Sequence, residues 1–161
     1  MIRKLQNSDA DAVLDIYQQG LDSGEASFEI KAPDWNTWDT RHLPQCRLVW
    51  EQDGQVKGWG ALAPVSARDC YRGVAEVSLY VASAAAGRGI GSQLMAALVE
   101  ASEENGIWSL YSSIFPENLA TLKLHLRHGF RKVGTRERIA QQFGRWRDTL
   151  ILERRSEKVG V

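Results

Sequence analysis

Val77-Ser78-Leu79-Tyr80-Val81 and, three residues on, Ala84-Ala85-Ala86-Gly87-Arg88-Gly89-Ile90-Gly91-Ser92-Gln93-Leu94 form the stretch whose reading decides the fold. The first run is a strand and the residues from Ser92 to Val99 read as a helix, so the glycines lie in a strand-to-helix turn. Glycines at alternate positions remove Cβ atoms from one side of the backbone, and several N–H groups can then converge on one anion at the positive end of the helix dipole. That geometry suits a pyrophosphate. A P-loop would need Lys-Ser/Thr after its last glycine, where this chain has Ser92-Gln93. A dinucleotide fingerprint would need glycine where Leu94 stands and an acidic residue at the end of a second strand, and neither is present.

Outward from the turn, the chain of 161 residues suits one domain, residues 1–153, with a polar tail over 154–161 that we expect to fray. Lys plus Arg and Asp plus Glu number 20 each, so no net charge draws the protein to nucleic acid or to an acidic membrane. No apolar run approaches the ~18 residues of a membrane span, and the first residues lack the apolar core of a secretion signal. Cys46 and Cys70 make neither a metal pair nor a disulfide framework. A soluble, cytoplasmic protein is the expectation.

In chain order the pattern predicts a strand over 2–5, a helix from the Asn7-Ser8-Asp9 cap to Leu21, and a loop Glu25-Ala26-Ser27-Phe28-Glu29. A short helix over 33–42 follows, then strands 47–51 and 55–62 joined by Asp53-Gly54, a strong hairpin signal. After the strand 74–81 and the glycine-turn helix come a strand 109–114, a helix 119–128, and strands 130–139 and 147–153 around Phe143-Gly144. This order predicts a mixed sheet with helices on both faces.

The motif Ala86-x-x-Gly89-x-Gly91 resembles the coenzyme A pyrophosphate loop of the GCN5-related N-acetyltransferases (GNAT), with Ala86 where that family carries Gln or Arg. The segment Asn118 to Phe130 and the strand Val74 to Val81 extend the resemblance, which covers about residues 1–153. It is greatest to the phosphinothricin and methionine sulfoximine acetyltransferase branch, through Gly24 to Glu29, Tyr71 to Val81 and Phe143 to Asp148. The resemblance implies an α/β (α+β) fold with a mostly antiparallel seven-stranded sheet and about four helices. It implies acetyl-CoA as cofactor, a small amine as acceptor, and a homodimer; His125 and His128, three apart on a helix with no third ligand marked by spacing, give no metal site.

Acetyl transfer from a thioester to an amine needs a held cofactor, a deprotonated amine and a stabilised leaving thiolate. Gly87, Arg88, Gly89, Ile90, Gly91 and Ser92 would take the pyrophosphate on their amides. The resemblance places the pantetheine along Leu79, Tyr80 and Val81 like an added strand. It also brings Asn118 to that arm, although an asparagine opening a helix is equally an N-cap. Glu76 is a carboxylate within an apolar strand, sharing a face with Ser78 and Tyr80; it is either ion-paired or a base in a cavity. The family branch has a glutamate here beside the bound amine. His125 stands where many members carry a tyrosine acid, and it either donates to the thiolate or only packs.

For the acceptor, Arg72, with Arg68 behind it, could clamp a carboxylate or phosphinate, and Phe28, Tyr71 and Trp146 are aromatic candidates for walls. Phe28 would serve equally as a core plug. Together these residues imply an N-acetyltransferase for the α-amine of a small amino acid or analogue. The alternatives are transfer to protein N-termini or polyamines, or a non-catalytic acyl-CoA sensor.

Overall fold

The Asp53-Gly54 pair closes its hairpin with both residues left-handed, at φ of 52° and 74°. This is the turn whose twist matches that of the strands it joins. A computed structural model describes all of residues 1–161. It contains strands β1 (Ile2–Lys4), β2 (Leu48–Gln52), β3 (Gln55–Pro64), β4 (Val74–Val81), β5 (Ser109–Ile114), β6 (Arg131–Gln142) and β7 (Arg145–Arg155). The helices are α1 (Ala10–Asp22), α2 (Trp35–Arg41), α3 (Ile90–Glu104) and α4 (Leu119–Arg127).

The seven strands form one sheet in the order β1-β2-β3-β4-β5-β7-β6. Only β4 and β5 are parallel, joined by the crossover through α3. Their pairing is short: Val74 faces Ser109, Ala75 faces Leu110 and Glu76 faces Tyr111. Beyond Glu76, β4 stays bonded to β3 as far as Val81, while β5 pairs with β7 as far as Ile114. The sheet therefore opens between β4 and β5, and the edge of β4 from Val77 to Val81 has no strand partner on that side.

Alternation along the strands builds a core on each face. Val13 and Ile16 of α1 and Trp38 of α2 pack with Val49, Trp59 and Ala61 on one face. Met95 and Leu98 of α3 pack with Leu62, Ala75, Leu110 and Leu152 on the other. Glu76, Ser78 and Tyr80 point to the α1/α2 face; Val77 and Leu79 point to the α3/α4 face.

The structure corrects two local expectations. Helix α2 starts at Trp35, because the Asp34 carboxylate caps it by accepting from the Thr37 amide at 2.8 Å. The tail is also not frayed. Ser156 is buried and its hydroxyl donates to Glu103 of α3 at 2.9 Å, while Lys158 pairs with the same carboxylate at 3.1 Å. Arg155 donates to the Gly160 carbonyl at 2.6 Å. A polar tail folds back here because a nearly buried carboxylate on a distant helix needs cations and donors, a demand invisible in the tail's own composition.

Candidate active site

The opening between β4 and β5 leads into a cavity of about 820 Å³. Its walls come from β4 (Glu76 to Val81), β5 (Ser112 and Ser113), α4 (Thr121 and His125) and the irregular loop after α1, including Phe28. Gly20 shows how closely α1 approaches: a Cβ there would lie 2.4 Å from the Tyr80 ring. Glycine in a helix costs about 1 kcal/mol relative to alanine, and here it makes room for a ring that lines the cavity.

At one end of the cavity lies the glycine turn. Gly87 and Gly89 both have φ of 77°, the left-handed region that side chains rarely adopt. Gly89 is the N-cap of α3, and the first amide after it with an intrahelical partner is that of Gln93. The amides of residues 87 to 92 find no backbone acceptor. They form a run of donors at a helix N-terminus, which fits a pyrophosphate. The Ile90 side chain, by contrast, is buried in a small core with Ala85 and Leu94, so only its backbone faces a ligand. The Ser92 hydroxyl is hydrogen-bonded to His128 Nε2 at 2.8 Å. The unpaired β4 edge at Leu79, Tyr80 and Val81 offers main-chain donors and acceptors to an extended arm.

Glu76 lines the cavity on the α1/α2 face. Burial, reinforced by the charge of Glu29, pushes its pKa above the ordinary carboxylate value, and no cation is among its ion-pair partners. Tyr17 donates its hydroxyl to Glu29 at 2.5 Å, and Arg41 reaches the same carboxylate at 3.2 Å. Glu29 thus has a hydrogen-bond donor and an ion-pair partner, whereas the Glu76 side chain has neither.

His125 sits on the other face, 5% exposed, with its ring edge-on to Phe130. Its Nδ1 lies 2.7 Å from the Thr121 carbonyl, which can only accept, so Nδ1 carries the proton. In the neutral ring Nε2 is then an acceptor, and the Ser112 hydroxyl donates to it at 2.8 Å. Burial lowers the His125 pKa against the raising effect of the Thr121 bond. Glu76 and His125 consequently approach the opening from opposite faces of the sheet.

Asn118 does cap α4, its Oδ1 accepting from the Thr121 amide at 3.2 Å. Its Nδ2 donates to the Glu25 carbonyl at 3.2 Å, so the same side chain ties the start of α4 to the loop after α1. Phe28 lines the cavity, packed edge-on to Phe115 at 4.9 Å between ring centres.

Tyr71 and Arg72 are not brought to the cavity. They lie on a short turn before β4, where Arg72 stacks over Trp108 at 5.5 Å and pairs with Asp69 at 3.4 Å. Arg68 stacks over Tyr71 at 5.6 Å, and Arg88 and Trp146 also lie outside the cavity lining, which contains no lysine or arginine. Tyr71 and Arg72 lie at the turn that precedes β4, while Glu76 lies on the strand itself.

Sequence reasoning missed Ser112, Thr121, Tyr17 and Phe115 as lining residues. For Ser112 the available signal was a hydroxyl alternating with Leu110 and Ile114 on a core-facing strand. Tyr17 falls among the apolar positions of α1 at helical spacing, a pattern that marks core rather than cavity.

The GNAT acetyltransferase family pattern matches residues 10–130. A phosphinothricin N-acetyltransferase of Alcaligenes faecalis is 33% identical over 164 residues, covering 95% of this chain and 81% of the relative. An L-methionine sulfoximine/L-methionine sulfone acetyltransferase of Pseudomonas paraeruginosa is 33% identical over 158 residues, covering 94% of this chain and 92% of the relative. Among solved structures, an acetyltransferase of Salmonella typhimurium holding acetyl-CoA superimposes with a TM-score of 0.92 at 25% identity, covering 100% of this chain and 96% of that one.

Proposed function

The chain belongs to the GNAT acetyltransferase family, and from that premise we propose that it transfers acetyl from acetyl-CoA to the α-amine of a small amino acid or analogue, of the phosphinothricin or methionine sulfoximine kind. The observation that carries this reading is Glu76, a half-buried, unpaired carboxylate in the cavity where the β4 edge is free. Its raised pKa brings it nearer to that of an amine, so it holds the proton of the attacking ammonium, directly or through one water. The acceptors named for the relatives support the choice of substrate class.

The cofactor supplies a thioester activated toward attack. The chain's own part is to hold and orient it: the amides of residues 87 to 92 grip the pyrophosphate, the β4 edge aligns the arm, and Asn118 borders it. Ala86 is tolerated because backbone donors do most of the work. Across the opening, Ser112 backed by His125 stands as the proton carrier for the leaving thiol. That step requires the imidazolium of His125, formed by uptake of a proton from solvent, which donates from Nε2 to the Ser112 oxygen while the hydroxyl proton passes to sulfur; the lowered pKa of the buried ring keeps this form the minor one at neutral pH. Glu76 and His125 on opposite faces allow direct attack with no covalent enzyme intermediate. Cys46 is buried in the core and Cys70 lies outside the cavity lining.

The fold also leaves Val133, Ile139, Phe143 and Trp146 of the β6–β7 hairpin exposed, which supports a homodimer through this hairpin. Two unpaired thiols suit a reducing, cytoplasmic compartment. The deciding experiment is free-thiol release from acetyl-CoA with phosphinothricin, methionine sulfoximine, methionine sulfone, the standard amino acids, spermidine and a short peptide. Turnover confined to the amino acids and analogues is expected. Turnover on the peptide or spermidine alone would move the acceptor to protein N-termini or polyamines, and none at all would favour a sensor.

A further inference from the structure

From Ser23 to Asp34 the chain has no helix or strand. An irregular connection of this length orders only if something ties it down, and such loops are commonly functional. Its α1-facing end is held by Gln18, which donates to the Ile30 carbonyl at 3.1 Å and accepts from the Ala32 amide at 2.8 Å. Its other end, next to the cavity, is held by residues 93 to 123 positions away.

Arg147 of β7 is 4% exposed. Its Nη1 donates to the Gly24 carbonyl and to Gln142 Oε1, both at 2.7 Å, and its Nη2 reaches the Glu25 carboxylate at 3.0 Å and the Glu117 carboxylate at 3.4 Å. Gln142, buried at the end of β6, uses its amide to donate to the Ser27 carbonyl at 2.8 Å. The guanidinium lies 3.6 Å from the centre of the Phe115 ring, and Phe115 meets Phe28 edge-on. Glu117 immediately precedes Asn118, which itself holds the Glu25 carbonyl. The turn end of the β6–β7 hairpin, the loop carrying Phe28, and the start of α4 thus meet at one buried guanidinium.

We infer that Arg147, with Gln142 as its partner, is the positioning residue of the acceptor loop, setting Phe28 against the cavity through the Gly24 and Ser27 carbonyls and the Phe115 ring. This inference rests on the reading that the cavity beside Phe28 takes the acceptor amine. A guanidinium suits the task because its planar fork serves a carbonyl, an amide oxygen and carboxylates at once, whereas lysine offers a single point charge. Glu25 and Glu117 are 46% and 59% exposed, so both can be solvated if the arginine is lost. The carbonyls and Phe115 are what lose their support.

The test compares Arg147→Lys, Arg147→Met and Gln142→Ala with the parent protein. Displacing a positioning group by an ångström costs up to about 100-fold in rate. Acceptor kcat/KM is expected to fall about 10-fold or more in Arg147→Met, mainly through KM, with Arg147→Lys intermediate. Gln142→Ala keeps the charge and loses the Ser27 tie, and it should show the same KM effect at smaller size. Acetyl-CoA affinity, read by tryptophan fluorescence, should stay within about threefold in all three. Hydrogen exchange over residues 24–29, followed without any substrate, should accelerate in each variant.

Unchanged exchange and unchanged acceptor KM would overturn the inference. So would parallel losses of acetyl-CoA affinity and acceptor KM, which would make Arg147 a general structural residue. The exchange measurement needs no turnover. Faster exchange in the variants of a protein whose parent acetylates no amino acid would therefore keep the tether and overturn the acceptor reading.

Discussion

Glu76, the proposed base, ties activity to stability through its raised pKa. Because burial raises its pKa in the folded protein, the folded state binds a proton that the unfolded chain gives up in the same pH range. The contribution of Glu76 to stability is therefore fully present below the ordinary carboxylate pKa and is lost as pH rises through the raised value. Glu76→Gln, which removes the half-buried charge, should raise Tm at neutral pH while lowering kcat strongly, with acetyl-CoA affinity nearly unchanged. Differential scanning fluorimetry beside steady-state kinetics reads both, and unchanged kcat would remove Glu76 as the base. In the parent protein kcat should fall on the acid side with an apparent pKa above that of a free glutamate. Ser112 makes a second residue-scale case: Ser112→Ala leaves the buried His125 Nε2 without its donor. A buried group left unpaired costs about 1–3 kcal/mol, so a lower Tm is expected together with a lower kcat.

At the scale of elements, the contact between α1 and β4 makes an unusual demand. Alanine is the better helix former, so Gly20→Ala would ordinarily stabilise α1. Here the added methyl would strike Tyr80, and the expected outcome is a displaced ring and a lower kcat/KM, measured for both substrates. The glycine turn makes a different demand. Gly89→Ala forces a side chain into left-handed backbone at the head of α3, which costs about 1 kcal/mol and disturbs the run of free amides. Acetyl-CoA affinity by calorimetry should weaken, with the acceptor KM little changed. Ala86→Gln should do the reverse and tighten acetyl-CoA.

At the scale of the molecule, the tail and the hairpin carry the predictions. Glu103 holds Ser156, Arg154 and Lys158, at 2.9, 3.2 and 3.1 Å, and so fastens the end of the chain to α3. Glu103→Ala removes hydrogen bonds to a charged group, each worth about 1.5–3 kcal/mol. A shift of 1 kcal/mol moves Tm by roughly 2–4 °C at this size, so a drop of several degrees is expected in thermal denaturation. The exposed apolar residues of the β6–β7 hairpin predict a dimer in light scattering, lost in Phe143→Asp combined with Trp146→Asp.

The sequence by itself determined the element order, the Asp53-Gly54 hairpin, the parallel β4–β5 crossover, the glycine turn and the place of Glu76. Each of these is a local matter: a turn type, a period of two or 3.6, a backbone conformation that only glycine adopts, or a charge breaking an apolar alternation. Tertiary structure alone decided what surrounds the glycine turn and Glu76. The divergence of β4 from β5 after three pairs opened the cavity, and the two faces of the sheet separated Glu76 from His125. Packing made Ser112 the partner of His125, moved Tyr71 and Arg72 out of the site, and brought Arg147 from the far end of the chain to hold the loop of Phe28. Those relations are set by which groups must find partners when water is excluded, and the partners lie tens of residues or more away in the chain, where no local pattern reaches them.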